Sequence, residues 1–271
     1  MSTATMSMRV AAALCRLELT ERLRDRWVLV ISSLFALLAA GASLYGRAAG
    51  EAGAALSGPS LVTLVSLLMP LVGLVLGQDA VVGERERNTL GLLLSLPTSR
   101  LGLVVGKYAG RLLALCLAGS VGIVAAMLAS APGQAGVLLG LLGPTLLLGA
   151  AFLSIGFLVS ALCRRSATAV SVVVALWFLL VFFFDLGLLA ALVVSDGAIG
   201  GTTIAALVQA NPAGLFRLVM MSRFAGPDLL DALGVVGGMP GPAAEAAMWA
   251  GWIVLPVVAG GLLLGRQKET R

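Results

Sequence analysis

The chain has 271 residues, is 59% hydrophobic and only 11% charged, carries a net charge of +5 and contains no histidine. Soluble domains carry roughly 25% charged residues, so this balance excludes an ordinary soluble domain and points to an all-α polytopic membrane protein, in which the 34 glycines let helices approach closely. Without histidine the commonest general base and metal ligand are gone, and Cys15, Cys116 and Cys163 stand isolated with no CxxC, which argues against a disulfide framework or a cysteine metal site.

In chain order, residues 9–26 mix charge with Val10, Leu14 and Leu17 at helical spacing. That stripe predicts an interfacial elbow helix ahead of the first span. The apolar patch Val10–Cys15 is too short for a cleavable signal, and Leu14 stands where a lipoprotein site wants a small residue, so the first span is expected to serve as a retained anchor. Six spans are predicted at about 27–45, 61–77, 104–128, 137–162, 170–194 and 246–264, lengths that suit the roughly 20 apolar residues a crossing needs. The stretch 199–223 suggests a seventh, but Asn211-Pro212 cuts it into pieces too short to cross, which fits interfacial or re-entrant helices better. Gly46–Ser60 reads as a short Gly/Ala-rich loop. The segment 195–245 carries Asp196, Asp228, Asp231 and Glu245 and is broken by prolines; a partner outside the membrane would meet this chain there.

Fifteen of the 18 Lys and Arg fall in the N-terminal segment, the 78–103 loop with its flank Lys107 and Arg111, the Arg164-Arg165 turn and the C-terminal tail. The positive-inside rule therefore predicts a multi-pass protein with both termini in the cytoplasm. Orientation accounts for the net charge, and no nucleic-acid partner is needed to explain it.

On that orientation, "DAVVGERERNTLGLLLSLPTSR" (79–100) faces the cytoplasm. Glu84 and Glu86 suit the first turn of a helix, where its dipole favours acids. Leu90, Leu93 and Leu94 recur at helical spacing, and Pro97 ends the pattern. The prediction is one short amphipathic helix over about 84–96. A loop whose leucines rest on the bilayer is the plainer reading. The alternative is a docking element whose leucines enter a groove on a soluble partner.

Extended to "DAVVGERERNTLGLLLSLPTSRLGLVVGKYAG", the stretch resembles the signature of ABC-2 type transporter permeases, matched here by Glu84, Glu86, Thr89, Leu93, Pro97, Arg100, Gly106 and Lys107. The resemblance implies a type V exporter-like permease with a cytoplasmic elbow helix, a coupling helix and one transmembrane domain over residues 1–271. It implies a homodimer docked to a separate cytoplasmic ABC ATPase, which binds ATP-Mg, so this chain needs no cofactor. The ATPase-coupling residues it implies are Glu84, Arg85, Glu86, Arg87, Asn88, Thr89, Leu90, Leu93 and Leu94. A departure is Arg85-Glu86-Arg87, more basic than the acidic pattern of the family. Four further segments, "ELTERLRDRWVLVISSLFALLAAG", "LMPLVGLVLGQDAVVGE", "WFLLVFFFDLGLLAALVVSDG" and "NPAGLFRL", are similar to a narrower group, the bacterial inner-membrane permeases that serve copper-site assembly in nitrous oxide reductase. That likeness implies a periplasmic partner. It leaves open whether copper, a sulfur species or only conformational work crosses, and export of a drug, lipid or polysaccharide stands as the alternative.

"GLVVGKY" (102–108) fails as a phosphate loop: its spacing is GxxxGK and Tyr108 replaces Ser or Thr, so it reads as a membrane-entry helix with a snorkelling lysine. Asp79 is expected at the cytoplasmic interface, paired with Arg100 or Lys107. Asp185, deep in the fifth span, is the intramembrane functional candidate, since a central carboxylate costs roughly 2.5–3.5 kcal/mol to insert. It either faces the interior or dimer seam, binds substrate, or sits where the span ends early. Of the methionines only Met220-Met221 are adjacent, which is ordinary for core filler, and no metal site is assigned. An intramembrane enzyme is disfavoured by the lack of His, of paired carboxylates and of any nucleophile–base spacing; a channel or structural membrane protein is the remaining class.

Overall fold

Without water to satisfy backbone groups, apolar segments of this length cross a bilayer as helices, and every regular element among the described residues is helical. The computed structural model describes residues 3–95, 99–196, 199–224 and 240–266. The elements are α1 (Thr3–Leu23), α2 (Arg26–Ala48), α3 (Gly50–Gly77), α4 (Val82–Glu86), α5 (Leu90–Ser95), α6 (Arg100–Ala129), α7 (Ala135–Leu162), α8 (Ser166–Phe178), a π-helical turn (Leu179–Phe183), α9 (Phe184–Val194), α10 (Gly201–Gln209), α11 (Pro212–Phe224) and α12 (Pro242–Arg266). Six of them, counting α8 through α9 as one, are long and apolar enough to span a membrane, and they coincide with the six predicted spans.

The bundle is built around α7, 78% of whose apolar window is buried within the chain, while only 11% of the α8–α9 window is. Backbone proximity explains the centre. A Cβ on Gly73 or Gly77 of α3 would come within 2.5 Å of the Gly149 and Leu153 carbonyl oxygens of α7. The GxxxG pair of α3 thus sits directly on the α7 backbone. A second glycine pair does the same on α6: Gly106 lies under the Ala11 carbonyl and Gly110 under the Cys15 carbonyl of α1. Both steps are of four residues, so α1 and α6 run in the same direction there.

The segment predicted as an elbow is helical, as α1, but its packed face is Leu14, Glu18 and Arg22, all buried, while Leu17 is 53% exposed. An i, i+4, i+8 stripe matches the glycine ridge of α6, and position 17 turns away from it. Gly46–Ser60 is not a loop. Its Ala-rich stretch is helical, and the chain reverses at Ala49–Gly50, where Gly50 takes φ +66°. The 199–223 stretch forms two helices bent by 118° at Asn211. Asn211 opens the second of these: its Oδ1 accepts from Ala213 N–H at 3.0 Å, and Pro212 takes the first helical position. Of the outer segment 195–245, residues 197–198 and 225–239, with Asp228 and Asp231, lie outside the described residues.

The predicted single helix over 84–96 is two helices. Asn88 adopts φ +58°, a left-handed conformation that Asn tolerates, and it separates α4 from α5. Thr89 closes the joint by donating its N–H to the Glu84 carbonyl at 3.0 Å and its hydroxyl to the Glu84 carboxylate. Pro97 and Thr98 are outside the described residues; the next helix starts where the Ser99 hydroxyl accepts from Gly102 N–H at 3.0 Å.

Candidate functional site

Alternate spans bring the end of α3, α4, α5, the start of α6, the α7–α8 turn and α1 to one end of the bundle. Two constructions meet there. The first is an ion network. Arg111 of α6 is 1% exposed and reaches Asp79 at 2.6 Å and Glu18 of α1 at 2.9 Å, and it also donates to the Leu76 carbonyl at the end of α3. Lys107, one turn earlier on α6, bridges Glu18 and Glu84, the latter at 2.9 Å. Arg22 closes the ring, 3.0 Å from Asp79 and 3.3 Å from Asp25. Such a buried network holds only if each charge has partners, since desolvation opposes it. Here it joins α1, α3, α4 and α6.

The second construction is mutual capping between helices. Val81, at the N-terminus of α4, has no capping side chain; Ser160 of α7 takes that role, its Oγ accepting from Val81 N–H at 2.9 Å and Val82 N–H at 3.0 Å. In return Arg85 donates to the Cys163 and Ala161 carbonyls at the C-terminus of α7, at 2.5 and 2.9 Å. Arg165, the N-cap residue of α8, offers no side-chain bond. Glu86 fills that place: its carboxylate accepts from Ser166 N–H at 2.7 Å and Ser166 Oγ at 2.6 Å. A carboxylate on the first N–H groups of a helix also meets the positive end of its dipole.

Three of the four charges of the run are thus engaged by the chain itself, although Glu86, like Arg87, is exposed. Glu84 belongs to the ion network, Arg85 caps α7 and Glu86 caps α8, while Arg87 is exposed. The predicted leucine face divides as well. Leu90 packs on the chain's own cluster of Ala80, Val81, Val104, Phe157, Ala161 and Leu264. Leu93 is half-buried, and the outward leucine is Leu92, 69% exposed. The side chains of Leu94 and Arg100 are outside the described residues. Asp79 is paired, but with Arg111 and Arg22 and not with Lys107, because α1 brings Arg22 to it and α6 presents Arg111 at that height. Lys107 does not snorkel: it is 3% exposed, with two carboxylates within reach of its ammonium. The partners that sequence reasoning missed are Glu18, Arg22, Ser160 and Ser166. Glu18 and Arg22 left a trace, since they continue the Leu14 face at steps of four.

Asp185 lies at the other end. Nineteen residues separate it from the start of α8 at Ser166, about 28 Å of helix and so near the far side of the roughly 30 Å hydrocarbon layer. The helix itself continues past that point, to Val194. The carboxylate is paired with Arg217 of α11 at 2.5 and 2.8 Å, which offsets its insertion cost. Arg217 had a sequence signal, as one of few cations on the sparsely basic side. Asp185→Asn and Arg217→Met are each expected to lower thermal stability in detergent, and the double variant to lose less than the sum, by about 0.5–3 kcal/mol. Strict additivity in that cycle would show that the pair is incidental. Met220, read as core filler, is fully buried in the hydrophobic core.

A helical bundle with six segments long and apolar enough to cross a bilayer, and a short helical element clamped at its charged end, is that of a polytopic membrane protein. Residues 12–268 match the family model described as ABC-2 family transporter protein. A relative from Pseudomonas aeruginosa, described as "Probable ABC transporter permease protein NosY", is 40% identical over 255 residues, covering 89% of this chain and 92% of that one. One from Stutzerimonas stutzeri with the same description is 39% identical over 249 residues, covering 87% and 90%. The chain belongs to the ABC-2 transporter family.

Proposed function

We propose that this chain is the permease of an ABC transporter that serves maturation of the copper sites of nitrous oxide reductase. Its relatives carry the NosY name over nine-tenths of their length, and the segment likeness points to the same group. Two copies dock two cytoplasmic ATPases, which bind ATP-Mg; this chain supplies no cofactor. A periplasmic protein meets the segment 195–245, and lipid surrounds the spans. The observation that carries the coupling role is the placement of α5: an exposed leucine-bearing helix held by α4 at the end where the cations concentrate. Both termini lie in the cytoplasm of an inner-membrane protein. A cysteine at Ser195 is expected to react with an impermeant maleimide from outside and one at Ser99 not to; the reverse pattern would invert the orientation.

Deleting the gene from a denitrifying host tests the function. The expected result is a secreted nitrous oxide reductase without its copper centres, visible as lost absorbance and activity, restored by the intact gene. A fully metallated reductase in the deletion strain would refute the copper-maturation role.

A further inference from the structure

We propose that Glu86 and Ser166 are positioning residues that hand movement of the docking element to the fifth span, and that this span carries it to the α10–α11 hairpin at the opposite end of the membrane. The inference rests on the reading of α5 as the ATPase-docking element. Four observations support it.

The first is the mutual capping. Glu86 supplies the cap that α8 itself lacks, so the start of the fifth span is bonded to α4 and not to its own N-cap side chain. A displacement of α4 must either break two charge-assisted hydrogen bonds or take the end of α8 with it.

The second is that the span meets the rest of this chain along one narrow face: Ala169, Val173 and Val181 are buried in the core, while 11% of the apolar window is buried against 78% for α7. The third is a polar attachment on that same face: the Trp177 indole N–H donates to the Leu67 carbonyl of α3 at 3.1 Å.

The fourth is what the far end grips. Just past Trp177 the helix widens into the π-turn Leu179–Phe183, a form of backbone adjustment frequent at functional sites. Asn211, at the bend of the hairpin, donates its Nδ2–H to the Leu180 carbonyl inside that turn at 2.6 Å. Asp185 then holds Arg217 of the second hairpin helix. The span is thus bonded to the docking element at one end and to the hairpin at the other, a contiguous route of the kind that coupling between distant sites requires.

The test uses the complete permease–ATPase complex in lipid nanodiscs. The native cysteines are replaced and an environment-sensitive fluorophore is attached at Ser195→Cys, just past α9, with Ala131→Cys in the α6–α7 turn as reference. Ser166→Pro is the main variant. It removes both donors to Glu86, yet proline suits the first position of a helix and the extended Arg165 that precedes it. Addition of ATP-Mg is expected to change the Ser195 signal in the parent complex more than the Ala131 signal. Ser166→Pro and Glu86→Gln are expected to cut the Ser195 response at least about fivefold, while the ATPase still co-purifies and still hydrolyses ATP. Bridging Glu86→Cys and Ser166→Cys with a short bismaleimide is expected to restore the response.

An undiminished Ser195 response in both variants would overturn the inference, as would a parent complex in which only Ala131 responds or neither position does. Loss of the ATPase from Glu86→Gln but not from Leu92→Arg would also overturn it, by placing Glu86 in the docking surface. Failure of the parent chain to bind any ATPase would instead defeat the docking reading on which it rests.

Discussion

Replacing Arg111 with Met is expected to cost the permease a large part of its stability. The guanidinium is 1% exposed and answers Glu18, Asp79 and the Leu76 carbonyl together. Its removal leaves two carboxylates in a low-dielectric setting with only Lys107 and Arg22 to share. Breaking a buried ion pair from one side costs roughly 3–5 kcal/mol, against a net stability of roughly 5–15 kcal/mol for a folded protein. The thermal midpoint in detergent, followed by tryptophan fluorescence, is expected to fall by on the order of 10 °C. Arg111→Lys keeps the charge but loses the fork that reaches separate partners, and should fall between. Arg87→Gln, at an exposed position, should leave the midpoint unchanged. If Arg111→Met melted with the parent, the network would be dispensable to the fold.

Gly77→Ala is expected to be the second most damaging change, although it adds one methyl group. The new Cβ would stand 2.5 Å from the Leu153 carbonyl oxygen and 2.7 Å from the Phe157 nitrogen, both main-chain atoms that cannot rotate away. The two helices would have to part along the seam that centres the bundle, at roughly 1–3 kcal/mol for overpacking. The shift falls beside Asp79 and Val81, so it also disturbs the network and the Ser160 cap. A lower thermal midpoint together with weaker ATPase retention is expected. Gly91→Ala, with open space around its Cβ position, should leave the midpoint unchanged. Equal melting of Gly77→Ala and the parent would mean that the helices are not in backbone contact at this point.

The sequence made the six spans legible because twenty-residue apolar runs have few alternatives in a bilayer. Asn211-Pro212 likewise announced its bend, since the pair both breaks one helix and starts the next. The charge run was legible as an interfacial helix start but not in its detail. Periodicity ranks the faces of a helix; it does not say which face meets the same chain. Leu90 and Leu92 differ little in sequence context, yet one packs against Val81 and Val104 while the other is exposed. The joint at Asn88 was hidden because a single left-handed residue leaves the hydrophobic pattern intact. Ser160 and Ser166 carry no signal in one sequence: serines are ordinary in helices of this kind, and their partners lie about 80 positions away. Glu18 does carry a signal, because an acid that interrupts an apolar face needs a buried cation to answer it.

If α5 docks the ATPase and α4 holds it in place, an exposed leucine of α5 must enter the partner's groove. The most direct test is affinity purification of the permease from membranes that also contain its ATPase, comparing the parent with Leu92→Glu. The leucine is 69% exposed, so the substitution spares the fold of the free chain. An apolar anchor buried in a partner contributes roughly 1.5–3 kcal/mol, and a carboxylate forced into the same groove costs more. Leu92→Glu is expected to reach the membrane at parental levels and to retain no ATPase, while Arg87→Gln, removing a rim charge worth about 0–1 kcal/mol, retains most of it. A Leu92→Glu permease that recovers the ATPase in parental amounts would contradict docking through α5.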